Sequence, residues 1–465
     1  MDRLSAHTSS AFAAKVALAR AVGAISRLAG RGATTLPGRT LLALDRDAIT
    51  RLAAGLPRGS VTISATNGKT TTAAFTSSIL AHAGIATVDN FAGANMAGGV
   101  ASALLAARHR GRTPAELGVF EVDEFWLAPV TAALEPRVML LANLFRDQLD
   151  RYGELETIGE RWAAVVTERS GTLVLGADDP LVAELGAGAR APIFFGIEDP
   201  TVARAAGLAH AADSKQCRRC GGAYRYDRVY IAHLGVYECS RCGQRRPDPQ
   251  VSAREIRLEG VRSARFMLHT PAGAADVRIE LPGLYNVYNA LAAAALATAL
   301  ELPLATIAAG LADARPMFGR AERLRTGEHE LAILLMKNPA GANELLRTLA
   351  LEPGEHSLLA LLNDRDADGR DVSWIWDADF EDFASRIQRV TCAGTRAAEL
   401  ALRFKYAGVQ PARIALAPDP ATALDLALGE AGAHTLYALP TYTAMLELRE
   451  VLRRRGLVAS SWERT

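Results

Sequence analysis

The stretch Ser64-Ala-Thr66-Asn67-Gly68-Lys69-Thr70-Thr71-Thr72 combines the residue types that hold phosphate. It follows the β-branched run Val61-Thr62-Ile63 and precedes a segment in which Phe75, Ile79 and Leu80 recur at helical spacing, so a strand, a tight loop and a helix are expected. At such a junction the free N–H groups and the helix dipole attract an anion. Gly68 lets the backbone close on it, Lys69 adds a point charge, and the Thr70 hydroxyl can ligate Mg²⁺. The general phosphate-loop pattern carries a further Gly five residues before Gly68; Ile63 stands there, so this loop is a shorter version.

A second constellation is made of thiols. Cys217-Arg-Arg-Cys220-Gly and Cys239-Ser-Arg-Cys242-Gly, with 18 residues between the pairs, have the spacing of a four-thiolate zinc ribbon. Four sulfurs close the coordination sphere and leave no position for water, so structural zinc is expected. The fifth cysteine, Cys392, lies in the apolar run Val390-Thr-Cys-Ala-Gly and reads as buried and inert. Paired Cys-x-x-Cys motifs suit a reducing compartment better than a disulfide framework. Arg218, Arg219, Arg225, Arg228, Arg241, Arg245 and Arg246 crowd the ribbon. Arg is this chain's ordinary base, with Lys only at 15, 69, 215, 337 and 405, so a solvated basic face is expected there rather than a nucleic-acid surface.

Polar clusters follow several apolar runs. Glu121-Val-Asp123-Glu124 could hold the Mg²⁺ of a nucleotide. Asn143 through Asp150 and Asp178-Asp179-Pro180 stand after two further runs, and Asn286 and Asn289 share one face on the opening turn of an Ala-rich helix, where Asn286 could alternatively be the N-cap. Phe318-Gly319-Arg320 supplies a hinge and a guanidinium suited to phosphoryl charge. Between Asp364 and Asp377 five Asp and two Trp follow a run directly, which suggests a contact surface presenting a carboxylate to something else.

These residues need elements to position them, and 465 residues exceed one core. Residues 1–52 read as a helical lead-in, in which 11–29 form an amphipathic helix that packs on the next domain. From 53 to 323, short apolar strands at Val61, Leu117, Val138, Leu173 and Ile193 alternate with helices, the pattern of a largely parallel sheet covered on both faces, interrupted at 213–248 by the ribbon. From 324 to 465 a smaller Rossmann-like α/β domain repeats the alternation. Apolar residues make up 49%, and 52 basic residues balance 51 acidic ones, so no global field argues for nucleic acid. No uncharged apolar run reaches the ~20 residues of a membrane span.

Thr66-Asn67-Gly68-Lys69-Thr70, Glu121, Asn143 to Asp150, Asp178-Asp179-Pro180, Asn286-x-x-Asn289 and Gly319-Arg320-x-Glu322 together resemble the Mur ligase family, ATP-dependent amide-bond-forming enzymes. The ribbon, Lys337-Asn338-Pro339-Ala-Gly341-x-Asn343 and the 364–377 loop resemble more narrowly the family's MurT-type synthetase subunits, which pair with a GatD-like glutaminase subunit to amidate the D-glutamate α-carboxylate of lipid II. The resemblance implies a central parallel-sheet ATPase domain with Thr66, Asn67, Gly68, Lys69, Thr70 and Thr71 on the ATP phosphates. It implies Thr70 and Glu121 on Mg²⁺, and Asn286, Asn289 and Arg320 on the nucleotide. It also implies a heterodimer in the cytoplasm at the inner face of the membrane, in which Asp371, or secondarily Asp368, orients the partner's catalytic His. Peptide-adding members have Asp-His where Asp147-Gln148 stands, and a downstream Lys; no Lys occurs here between 69 and 215, which counts against an amino-acid-adding ligase.

A carboxylate does not accept ammonia at neutral pH, because oxide is its leaving group; phosphoryl transfer supplies a better one. The chain's lone unpaired thiol is a poor nucleophile, so glutamine hydrolysis is expected from a separate subunit. Two other readings compete: a ligase adding an amino acid to a muramyl or folate precursor, and a nucleotide-dependent nucleic-acid switch using the ribbon.

Overall fold

The computed structural model describes residues 2–28, 34–91, 95–108, 114–147, 155–168, 171–204, 213–315, 322–431 and 435–458, and within the first helix the side chains of 11–26. The larger sheet is built from β1 (Ser60–Ser64), β2 (Thr87–Asp89), β3 (Leu117–Glu121), β4 (Val138–Leu141), β5 (Thr172–Gly176) and β6 (Ile193–Ile197). The chain then leaves for a hairpin, β7 (Tyr224–Ile231) and β8 (Leu234–Cys239), and returns as β9 (Val251–Glu259), β10 (Ser263–Thr270) and β11 (Gly273–Ile279). The spatial order is β11-β10-β9-β6-β5-β4-β1-β3-β2.

Strands β1, β3 and β4 are buried along their whole length, as strands covered on both faces must be. Ile63 lies level with Glu121 on one side and Leu140 on the other. Because the chain runs from β1 outward to β2 and β3 before crossing back to β4, the loops at the carboxyl edge diverge there and leave a crevice. The phosphate loop, the Glu121 turn and the Asn143 turn all open into it.

The strands β9 to β11 extend this sheet in antiparallel fashion beyond the parallel β6–β9 pair. A purely parallel reading of the block does not contain them, since Arg254, Arg257, Arg265 and Arg278 break up their apolar runs.

Two helices lock the phosphate-loop helix, Lys69–His82, onto the sheet. Helix Leu284–Ala299 is almost wholly buried, and its run of alanines lets it lie close to the strands. Helix Leu304–Asp313 crosses at Gly310, where a Cβ would stand 2.7 Å from the Ile79 amide nitrogen; Ser78 donates to the Gly310 carbonyl at 2.7 Å. The first helix, Asp2–Leu28, packs Phe12, Val16 and Ala19 with Leu41, Val100 and Leu104 in the core on the other face. No described helix is long and apolar enough to cross a membrane.

The second sheet has the order β12-β13-β17-β14-β15-β16, from β12 (Glu322–Thr326), β13 (His329–Ile333), β14 (His356–Leu361), β15 (Ile387–Ala393), β16 (Ile414–Leu416) and β17 (Leu436–Pro440). All neighbours are parallel except β12 with β13. The boundary expected between 323 and 324 falls inside β12, whose alternating charges suit an edge strand.

The Gly310 crossing predicts that Gly310→Ala costs ~1–3 kcal/mol in urea unfolding, because backbone there leaves no room for a methyl group. Gly429→Ala, in open space within helix Pro420–Ala431, should instead stabilise by ~0.5–1 kcal/mol. Equal effects at the two sites would contradict the packing described.

Candidate active site

Gly68 adopts φ 90° with its bare Cα against the Asn289 carboxamide, and a Cβ would collide with the Asn289 Oδ1. Any other residue would be both strained and obstructed. The loop is laced to the end of β4. Thr66 N donates to Asn143 O at 3.0 Å, Asn67 N to Asn143 Oδ1 at 2.9 Å, and Asn143 Nδ2 to Asn67 O at 3.0 Å. Phe145 N donates to Thr66 Oγ1 at 3.1 Å.

Above this loop lies a cavity of about 360 Å³. Residues 66–71 line it, with Glu121, Asp123, Glu124 and Asp147 as an acidic wall. Asn286 and Asn289 enter from the alanine-rich helix, and Lys337, Gly341 and Glu344 from the second domain. The sequence-expected nucleotide residues of the described chain therefore meet in one place. Arg320 lies outside the described residues.

The two lysines of the cavity are both paired. Lys69 Nζ sits 2.9 Å from Glu124 Oε2 and also bonds to the Ala65 carbonyl. Burial pulls the Lys69 ammonium down, but Glu124 and Asp123 more than offset this and hold it above the usual lysine range. Burial pushes Glu124 up, yet Lys69 and Lys337 outweigh it and hold the carboxyl below its ordinary value. Lys337, arriving from the loop after β13, pairs with Asp147, whose carboxyl burial nevertheless keeps raised. Next to Lys337, Asn338 exchanges two hydrogen bonds with Asn67, at 3.2 and 3.0 Å, and its Oδ1 caps helix Pro339–Leu349 at Gly341 N. The second domain is thus fastened directly to the phosphate loop.

Asn286 is not the helix cap; Gly283 occupies that position, and Asn286 donates to the Pro282 carbonyl at 2.7 Å while accepting from Asn289 at 3.1 Å. Asp178 and Asp179 brace the site from behind. Asp179 accepts from Leu144 N at 2.8 Å and caps helix Pro180–Glu184. Asp178 accepts from the Tyr288 hydroxyl at 2.5 Å, Arg246 Nε at 2.6 Å and Ile197 N at 3.0 Å. Arg246 therefore departs from the expected solvated face. It is buried and donates to Asp178, Glu198 and the Ile197 carbonyl, because a desolvated guanidinium needs carboxylate partners.

The four ribbon sulfurs lie within 4.8 Å of one another. Gly222 N points at Cys220 Sγ and Arg241 N at Cys239 Sγ, both at 3.4 Å, as zinc knuckles require. The donor set fits zinc, just as Thr70 and Glu121 on the cavity wall offer the hard oxygens that suit Mg²⁺. Burial pushes the Cys392 thiol up to about 12, in accord with an inert core residue. In the acidic loop, Asp371 is exposed and accepts from Ser373 N at 2.8 Å, whereas Asp368 is buried on the Thr443 amide and hydroxyl.

Glu344 escapes a sequence reading. It stands one helical turn from Ala340 and Thr348 on the buried face of an otherwise amphipathic helix, a spacing that places it inside but does not announce a function.

The Mur ligase middle-domain family matches residues 63–297, and the MurT ligase C-terminal family matches residues 335–445. A lipid II isoglutaminyl synthase (glutamine-hydrolyzing) subunit MurT of Streptococcus pneumoniae is 36% identical over 439 residues, 93% of this chain and 95% of that one. Its counterpart in Staphylococcus aureus is 32% identical over 453 residues, 94% and 97% of the two chains. In fold, the chain is similar to a pseudomurein peptide ligase type C from Methanothermus fervidus, with a TM-score of 0.67 at 23% identity, covering 86% of this chain and 79% of that one.

Burial raises the Glu344 carboxyl from 4.5 to about 6 against the pull of Arg347 and Arg204. The folded state therefore binds this proton more tightly than the unfolded chain, so the Glu344 contribution to stability is fully present below pH 4.5 and is lost as pH rises through about 6. The shift corresponds to ~2 kcal/mol. Glu344→Gln should remove this decline in thermal unfolding between pH 5 and 8; an unchanged pH profile would contradict it.

Proposed function

Because the chain belongs to the Mur ligases and, within them, to the MurT family, we propose that it is the ATP-consuming subunit of a lipid II isoglutaminyl synthase. In this reading it converts the D-glutamate α-carboxylate of lipid II to its amide during peptidoglycan biosynthesis, in the cytoplasm at the inner face of the membrane. The observation that carries the chemistry is the convergence of Lys69 and Lys337, from two domains, on the cavity above the phosphate loop.

Residues 66–71 bind the ATP phosphates through backbone N–H groups, and Asn286 and Asn289 hold the nucleoside side of the cavity. Mg²⁺, held by Thr70 and Glu121, would neutralise phosphate charge. The substrate carboxylate oxygen attacks the γ-phosphorus, the bond to the bridging oxygen breaks, and ADP departs with that electron pair. Lys69 and Lys337 stabilise the charge as it moves. Ammonia then attacks the acyl carbon, phosphate leaves with the former carboxylate oxygen, and the nitrogen loses a proton to water.

The ammonia comes from glutamine on a GatD-like partner. Four of the five cysteines form the ribbon cluster and Cys392 is buried, so this chain offers no exposed nucleophilic thiol outside that cluster. Exposed Asp371 is the carboxylate we assign to the partner's catalytic His, and Asp368, turned in on Thr443, supports the loop that presents it.

The test uses the chain with its glutaminase partner, lipid II and ATP, supplied with either glutamine or ammonium chloride and read by mass spectrometry. Lys69→Ala should lower amidation by ~10²–10³-fold with both nitrogen sources. Asp371→Asn should abolish the glutamine-driven reaction and spare the ammonium-driven one. Addition of a free amino acid by the lone chain, without amidation by the pair, would overturn the proposal.

A further inference from the structure

The zinc ribbon has so far no part in the reaction, yet its hairpin reaches the active site. Cys239 pairs with Tyr224 at the thiolate end, and Ile231 with Leu234 at the turn. Seven residue steps along β7 and five along β8 put the turn roughly 20 Å from the thiolate end. At that turn Ile231 and Leu234 line the same cavity as the phosphate loop, and Leu281, Tyr285 and Leu345 line it too. Leu345 stands seven residues along the helix from Asn338, which touches the loop, so it lies about 10 Å along the helix axis from that contact. That separation suits the base of a nucleotide whose phosphates rest on residues 66–71.

The turn is held from both sides. His233 is fully buried, with its ring 5.0 Å from that of Phe145 and Nε2 3.5 Å from Asp179. Gly235 N donates to the Asp178 carbonyl at 2.9 Å, and Arg204 N to that of Val229 at 2.7 Å. Through its side chain Asp178 also joins Arg246, just past the last cysteine, to Tyr288, which neighbours Asn289. At the ribbon's far end Tyr224, Tyr237, Cys217 and Cys239 form a small buried cluster with Ala183 of helix Pro180–Glu184, against which Phe194, Cys220 and Tyr226 pack. A two-stranded hairpin with so small a core depends on its metal for order.

We infer that the ribbon hairpin is a wall of the nucleotide site: Ile231 and Leu234 form the apolar surface against which a purine base lies, and the four-thiolate cluster keeps that surface in place. The inference rests on the nucleotide reading of the cavity. It makes the ribbon a positioning element for ATP rather than a separate stabilising module.

Isothermal titration of ATP into the full-length chain tests it. Ile231→Ala/Leu234→Ala, with zinc content and circular dichroism unchanged, should weaken ATP binding ~10-fold or more, since losing two buried aliphatic contacts removes at least ~1.4 kcal/mol. Wild-type chain stripped of zinc by a chelator should weaken comparably and recover when zinc is restored. ATP affinity unchanged in the zinc-loaded double variant would overturn the inference, as would unchanged affinity in stripped chain. Failure of the zinc-loaded parent chain to bind ATP would instead sink the nucleotide reading beneath it.

Discussion

A lysine as buried as Lys69 cannot carry its charge alone, because removing an ammonium from water costs several kcal/mol unless an anion stands beside it. Glu124 fills that role, and Asp147 does the same for Lys337. The need for these pairs sets much of the surrounding architecture. The acids must stand at the carboxyl edge of β3 and β4, on either side of β1, and the topological switch at β1 is what opens the space between them.

One of the two cations belongs to the other domain. Lys337 and Asn338 begin the helix Pro339–Leu349, and their contacts to Asp147 and Asn67 tie that domain to the phosphate loop. Any change of partner at Lys337 is therefore also felt at the domain junction, where Arg347 donates to the Tyr230 and Val202 carbonyls. Charge pairing and domain contact are carried by the same few side chains. Asp178 plays the matching part on the opposite side, where one carboxylate gathers Tyr288, Arg246 and the Ile197 amide into a single buried network.

The parts of this account that are local were legible in the sequence. The phosphate loop is a contiguous signal flanked by strand and helix patterns, the thiol spacing is specific to a ribbon, and β1, β3, β4, β14, β16 and β17 are short, largely apolar runs. What escaped depends on distant partners. Arg246 reads like its six arginine neighbours until Asp178, 68 residues earlier, is seen to face it. Strands β9 to β12 are dense in charged residues because they lie toward a sheet edge, where propensity and burial disagree. The Asn pair at 286 and 289 was visible as one helix face, but the closeness of Gly68 to Asn289 follows only from the helix packing.

The central claim is that a carboxylate oxygen of lipid II accepts the γ-phosphoryl group. Lipid II labelled with ¹⁸O in the D-glutamate α-carboxylate, turned over by the chain and its partner with ATP and glutamine, tests this directly through the mass of the released inorganic phosphate. One labelled oxygen is expected in each phosphate formed. Label-free phosphate, or label recovered in AMP, would contradict it.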